Sequence, residues 1–464
     1  MTIWMPDLAT RGGPKYLAIA DAISDAVSSG DLSPGEKLPP QRNLAYDIGV
    51  TLGTVTRAYQ EAERRGLVGG EVGRGTFVLG DEPDAASVFV SSEPTGTNVF
   101  DFTHATPVAG AAGKKLARTL AHIASQPDID PLANYQLETG LEPHLAAGAD
   151  WISRTTDLKT STERVALTNG AQHGVLVALM TVTQPGDTIL AESLTYPGII
   201  HLAHQLGVRL EPAPIDDEGL IPEQLDELCA KTKARALYCM PALQNPTTAV
   251  MPEERRRQIA EIARRHKLFI LEDDIWGGLA GETLAPISAH APERSFFITG
   301  LSKCMAGGLR VGYILASDDH IQALRTTVRI CNWMTAPLMA EVARRWITDG
   351  TGDELTDWQR RRARERMRSA QRILGQFSPT IHPSAHHFWL ELPSPWRGTE
   401  FAAVAESRGV RVLTGETFVV GRQAAPHAIR IGTGFPKTLA DLEIGLEILR
   451  QILDTPCGIG PAVI

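Results

Sequence analysis

Lys303 stands in the segment GLSKCMAGGLRVGY, residues 300–313, among small and apolar residues and seven positions before Arg310. A lysine in so apolar a stretch is costly unless it stays at the surface, is paired, or is consumed in a covalent bond. Other residues able to do chemistry follow apolar runs elsewhere in the chain. After RVALTNG, Gly170, Ala171 and Gln172 open a long apolar helix, where their backbone N–H groups either hold an anion such as a phosphate or form a plain helix start. After DTILAE, Tyr196 either stacks on a planar ring or packs in its own loop. After ARALYCM, Asn245 is either a side-chain donor or the first half of an Asn-Pro turn. LFILEDD closes on Glu272, Asp273 and Asp274, which need partners if buried and are ordinary strand-end acids if solvated.

The elements that must position these residues can be read from periodicity. Apolar runs alternate with helical stretches at about 171–184, 197–207 and 252–266. This is an α/β pattern, a mostly parallel sheet with helices on both faces, and in such folds function gathers at the carboxyl ends of the strands. The first eighty residues differ. Three helices are expected at about 15–29, 41–48 and 52–65, then a hairpin over 66–79 with a Gly-rich tip, the order of a winged helix-turn-helix. Gly49 supplies a left-handed turn, and Thr51 caps the third helix. Thr51, Thr54, Arg57 and Tyr59 lie early on that helix, the end that enters a major groove in this motif. Arg42 and Arg74 are placed for phosphate or minor-groove contacts. A small helical protein-interaction module is the alternative. Residues 80–98, rich in Asp, Glu, Ser, Pro and Gly, read as a linker, dividing the chain into 1–79, 80–98 and 99–464.

Composition bounds the remainder. The chain has 464 residues, 43% hydrophobic and 21% charged, which is ordinary globular usage. Its net charge of −9 shows no global affinity for nucleic acid, and within 37–79 six basic residues face only four acidic ones. No run reaches the ~18 apolar residues of a membrane helix, and the start lacks the charged and apolar regions of a signal peptide. A cytoplasmic protein is expected. Five scattered cysteines without a CxxC pair argue against a disulfide framework or a metal site.

Residues 32–78, LSPGEKLPPQRNLAYDIGVTLGTVTRAYQEAERRGLVGGEVGRGTFV, closely resemble the DNA-binding domain of GntR-type transcription regulators. Residues 99–455 resemble fold-type I pyridoxal-phosphate (PLP) aminotransferases, with phosphate cradle, aromatic, asparagine, aspartate, lysine and arginine in that family's order. NYQLETG, FWLELP and HAIRIG are further landmarks. Together the two parts resemble the MocR-type subgroup of GntR regulators. The resemblance implies that Lys303 holds PLP as a Schiff base and that Asp273 pairs with the pyridinium nitrogen. Asn245 would bond the phenolic oxygen and Tyr196 would stack on the ring. Arg310, Gly170, Ala171 and Gln172 would hold the phosphate, helped by Tyr135 from a partner subunit. Ser302 and Trp276 join the cofactor-binding set, and Arg430 would grip an effector carboxylate.

It further implies a homodimer that binds double-stranded operator DNA and senses an amino compound, or PLP itself, through aldimine exchange at Lys303. A working aminotransferase acting on an amino acid is the alternative. Several positions depart from the family pattern. Trp276 stands where tyrosine is usual, Gly300 where a phosphate-binding serine is common, Gly307 for proline, and His144 for arginine. Leu52 and Gly53 replace basic reader residues.

Overall fold

The computed structural model describes residues 4–6, 8, 14–29, 31–33, 35–65, 67–71, 75–78, 99–136, 140–281, 284–421 and 423–455. The expected linker over 80–98 and the wing tip with Arg74 lie outside the described residues. The chain divides into two compact units.

In the first, α1 (Lys15–Ser29), α2 (Gln41–Asp47) and α3 (Leu52–Arg64) precede a hairpin of β1 (Val68–Glu71) and β2 (Gly75–Val78), with Val68 opposite Val78. Apolar residues at helical spacing, Ile19, Ile23, Leu44, Val55, Ala58 and Ala62, close with Leu38 and Val78 into one core. Gly49 adopts φ +65 between α2 and α3, a conformation that costs glycine nothing. The Thr51 side chain then accepts the Thr54 N–H and caps α3. Tyr59 is a correction. Being four residues beyond Val55 it falls on the core face, and its hydroxyl donates to the Pro39 carbonyl at 2.8 Å instead of facing a groove.

The second unit is built on a seven-stranded sheet. Its strands are β4 (Val165–Thr168), β5 (Thr188–Glu192), β6 (Arg209–Ala213), β7 (Ala236–Cys239), β8 (Phe269–Asp273), β9 (Ser295–Gly300) and β10 (Gly312–Leu315). Their spatial order is β4-β10-β9-β8-β7-β5-β6, and β10 alone runs antiparallel to its neighbours. The strands are short, and all but the edge strand β6, of which only Ala213 is buried, are almost wholly buried, as expected of a sheet covered on both faces. Between them run α4 (Ala171–Val182), α5 (Pro197–Gln205) and α6 (Glu253–His266). The helix expected over 171–184 stops at Val182 because Gln184 precedes a proline, which disfavours helical backbone there. A smaller sheet follows, β11 (His387–Glu391) and β13 (Leu413–Thr414) flanking β14 (Ala428–Gly432), while the short β3 (Phe100–Asp101) pairs with β12 (Val410–Arg411). Among the described residues no helix is long and apolar enough to cross a membrane.

Candidate functional site

Lys303 lies just past the carboxyl end of β9, and Asp273 ends β8. Glu272, Asp273 and Asp274 are all buried, not solvated, and two of them have evident partners. Glu272 accepts from the Ile287 and Ser288 N–H groups at 3.0 and 2.7 Å. Asp273 accepts from the Tyr238 hydroxyl at 2.7 Å and from the Ile275 N–H at 3.2 Å. Burial pushes the Asp273 carboxyl up to about 6, while the Tyr238 and Ile275 hydrogen bonds and the Lys303 charge oppose the rise. Burial also pushes the Lys303 ammonium down to about 8, with Arg430 and Arg310 adding to the shift and Asp273 resisting it. The amine is thereby brought close to the range where it is neutral and nucleophilic.

Lys303 Nζ donates to the Ala105 carbonyl and stands 4.7 Å over the Trp276 ring. Arg430 is buried on β14, donates to Asn245 Oδ1 at 3.0 Å and to the Thr103 carbonyl, and lies 5.0 Å over the Phe418 ring. Burial pushes its guanidinium down to about 10. Tyr196 is half-buried at the start of α5, its hydroxyl pushed up to about 12 by desolvation first and then by Asp273.

Arg310, itself at φ +51, donates to Ser302 Oγ at 3.2 Å and reaches the Asn169 carbonyl at 3.5 Å. Gly170 opens α4 at φ +86, and a Cβ there would stand 2.7 Å from Arg310 Nη2. Glycine thus lets the guanidinium close over the first turn of a helix whose leading N–H groups lack helical acceptors, an arrangement suited to an anion. Ala171 is buried in this turn, whereas Gln172 is exposed.

The structure therefore brings Lys303, Asp273, Asn245, Tyr196, Trp276, Ser302, Arg310, Gly170, Ala171 and Arg430 to one side of the sheet. Tyr135 stands apart. It is 81% exposed and meets Trp333 edge-on at 6.1 Å. Sequence reasoning passed over Tyr238, although a tyrosine inside a buried strand signals a hydroxyl needing a partner. It also missed Glu192, pushed up to about 8 by burial and bonded to Gln244, and the adjacent pair His386 and His387, whose rings lie 5.8 and 5.3 Å from that of Trp276.

In the first unit, Arg42 and Arg57 are exposed, and the Arg57 guanidinium lies 4.4 Å over the Tyr16 ring. Thr51 and Thr54 hydroxyls pair at 2.9 Å. Thr56 Oγ1 donates to Gln41 at 2.8 Å, tying α3 to α2. Tyr46 is 88% exposed on α2, a surface aromatic the sequence reading did not single out.

A winged-helix reader in the same chain as an aminotransferase fold with a half-buried lysine past a strand end defines a composite class of protein. Residues 15–78 match the family of bacterial regulatory proteins of the gntR type, and residues 96–447 match aminotransferase class I and II. The chain belongs to the MocR-type subgroup of GntR-family transcription regulators. It is 30% identical over 451 residues to the HTH-type transcriptional regulator YdeF of Bacillus subtilis, covering 97% of each chain. It is 26% identical to the vitamin B6 salvage pathway transcriptional repressor PtsJ of Salmonella typhimurium, over 92% of this chain and 95% of that one. The fold is also that of kynurenine aminotransferase from Pyrococcus horikoshii, at 21% identity with a TM-score of 0.72, over 79% of this chain and 92% of that one.

Proposed function

We propose that the protein is a cytoplasmic, DNA-binding transcription regulator whose large unit holds PLP at Lys303 and senses an amino compound there. One observation carries this reading: a half-buried lysine brought down to about 8 stands near a buried aspartate, in a chain that also carries a reader. The residues fit PLP. The Gly170 cradle, which a Cβ would fill, and Arg310 suit the phosphate, and Asp273 suits a protonated ring nitrogen. PLP, when bound, supplies an aldehyde that condenses reversibly with amines.

The chain's own side chains do the rest. Lys303, near its neutral form, would hold the aldehyde through Nζ and would be the group that a competing amine displaces. Asp273 holds a proton at the ring nitrogen, and Tyr238 keeps that carboxylate ionised. Arg430 engages Asn245 through Oδ1, which leaves the Nδ2 group to donate to the phenolic oxygen. Tyr196 packs on the ring. Arg430 offers its fork to an effector carboxylate. In the reader, Arg42, Thr54 and Arg57 face DNA.

A homodimer is part of this reading. Tyr135, Ile330 and Trp333 form an exposed apolar patch, the latter two 73% and 53% exposed, which a second copy would cover while lending Tyr135 to its partner's phosphate site. PLP as the effector is a second reading, favoured by the name of the Salmonella typhimurium relative, a repressor in vitamin B6 salvage.

The test is a titration of DNA flanking the protein's own gene at fixed salt, against excess non-specific competitor. Tight binding that shifts on adding amines to PLP-loaded protein is expected. A shift on PLP alone favours the second reading. Binding no tighter than to random DNA in every state overturns both.

A further inference from the structure

His387 has no role in the reading above. It is fully buried on β11, and among the described residues neither ring nitrogen has a hydrogen-bond partner. One nitrogen lies near the Gln244 carbonyl without reaching bonding geometry. An unsatisfied buried imidazole is costly and calls for an explanation.

Its placement supplies one. In the antiparallel pair of β11 and β14, His387 stands opposite Gly432 and Trp389 opposite Arg430. His387 and Arg430 therefore project from one face as diagonal neighbours, roughly 7–8 Å apart. At Gly432, opposite His387, the backbone of residues 102–104 takes the space a side chain would fill, the His104 carbonyl oxygen lying 2.2 Å from where a Cβ would stand. On its other flank the imidazole ring lies 5.3 Å from that of Trp276, whose face meets Lys303. Burial, Arg430 and Lys303 together hold the ring neutral. A neutral imidazole carries one N–H and one lone pair. With the N–H on the side of the Gln244 carbonyl, the other nitrogen is a buried acceptor without a donor.

We infer that His387 is a specificity-determining residue of the amine site, accepting a hydrogen bond from a neutral side-chain donor on an amino acid whose carboxylate Arg430 holds. The inference rests on the sensor reading and narrows its effector to amino acids with a short hydroxyl or carboxamide side chain. An aliphatic chain leaves the acceptor unsatisfied. A second carboxylate brings no donor to it.

The full-length, PLP-loaded protein can be titrated with near-isosteric pairs, following the absorption of the bound chromophore. L-Threonine is set against L-valine, L-serine against L-alanine, and L-glutamine against L-methionine. In at least one pair the donor-bearing member is expected to bind about tenfold tighter. His387→Phe should bring that ratio to about one with PLP loading intact, while His387→Asn, which keeps an acceptor, retains the preference. If the Phe variant does not fold, His387→Ala is expected to equalise the pair instead. A response to amines without discrimination, or a ratio unmoved by the variants, overturns this inference alone. No response to any amine in PLP-loaded protein overturns the sensor reading and this inference with it.

Discussion

At the residue scale the site is governed by burial acting on two charges of opposite sign. Burial lowers Lys303 from the ordinary 10.5 to about 8, so its amine becomes neutral as pH rises through about 8. The rate of PLP capture by the ligand-free protein is expected to climb across that window and level off above it. Rapid-mixing absorbance at a series of pH values checks this, and a rate flat from pH 7 to 9 would show that the amine is not limiting. Asp273 titrates in the opposite sense. Its folded value of about 6 lies above the ordinary 3.8, so the carboxylate that pairs with a protonated ring nitrogen is lost as pH falls through about 6. Tyr238→Phe removes the hydroxyl that favours the ionised form. The acid edge of PLP affinity should move to higher pH, at a stability cost of roughly 1–3 kcal/mol for the bond removed. An unmoved edge would show that Tyr238 does not tune the aspartate.

Particular elements set the geometry of these groups. Gly170 opens α4 at φ +86 with Arg310 close by. Gly170→Ala combines backbone strain with a displaced guanidinium, and should weaken PLP binding by about tenfold or more, for about 1–3 kcal/mol, with the far-ultraviolet spectrum unchanged. In the reader, Thr51→Ala removes the cap of α3. It should lower the stability of that unit by about 1 kcal/mol and weaken operator binding, measured by urea titration and by DNA binding under the same salt. The helices of the reader were legible because their signals are local: Gly49 and Thr51 mark the turn and cap, and the apolar spacing marks the buried faces. Tyr59 misled because a tyrosine near a reading helix suggests a groove contact until helical phase is followed around to Val55.

At the scale of the whole molecule the exposed patch around Trp333 and Ile330 bears on assembly. Trp333→Glu places a charge in that patch and, with the patch as the seam of the proposed homodimer, should leave the protein monomeric in sedimentation equilibrium where the parent chain is dimeric. PLP affinity should fall with it, because Tyr135 could no longer reach a partner's site. A dimer that survives the substitution would place the interface elsewhere.

The sequence by itself determined the two-part architecture, the order of the chemical residues and the family, because motif spacing and strand-helix alternation are local in the chain. It left open whether Glu272, Asp273 and Asp274 are solvated, whether Tyr196 and Asn245 serve a site or their own turns, and what Trp276 meets. Only the tertiary structure decided these. Burial depends on which strands become neighbours, and the order β4-β10-β9-β8-β7-β5-β6 sets Tyr238 beside Asp273 from segments 35 residues apart. His387 escaped notice for the same reason. A histidine at the head of an apolar strand looks ordinary until the register of β11 on β14 places it beside Arg430 with both nitrogens unsatisfied.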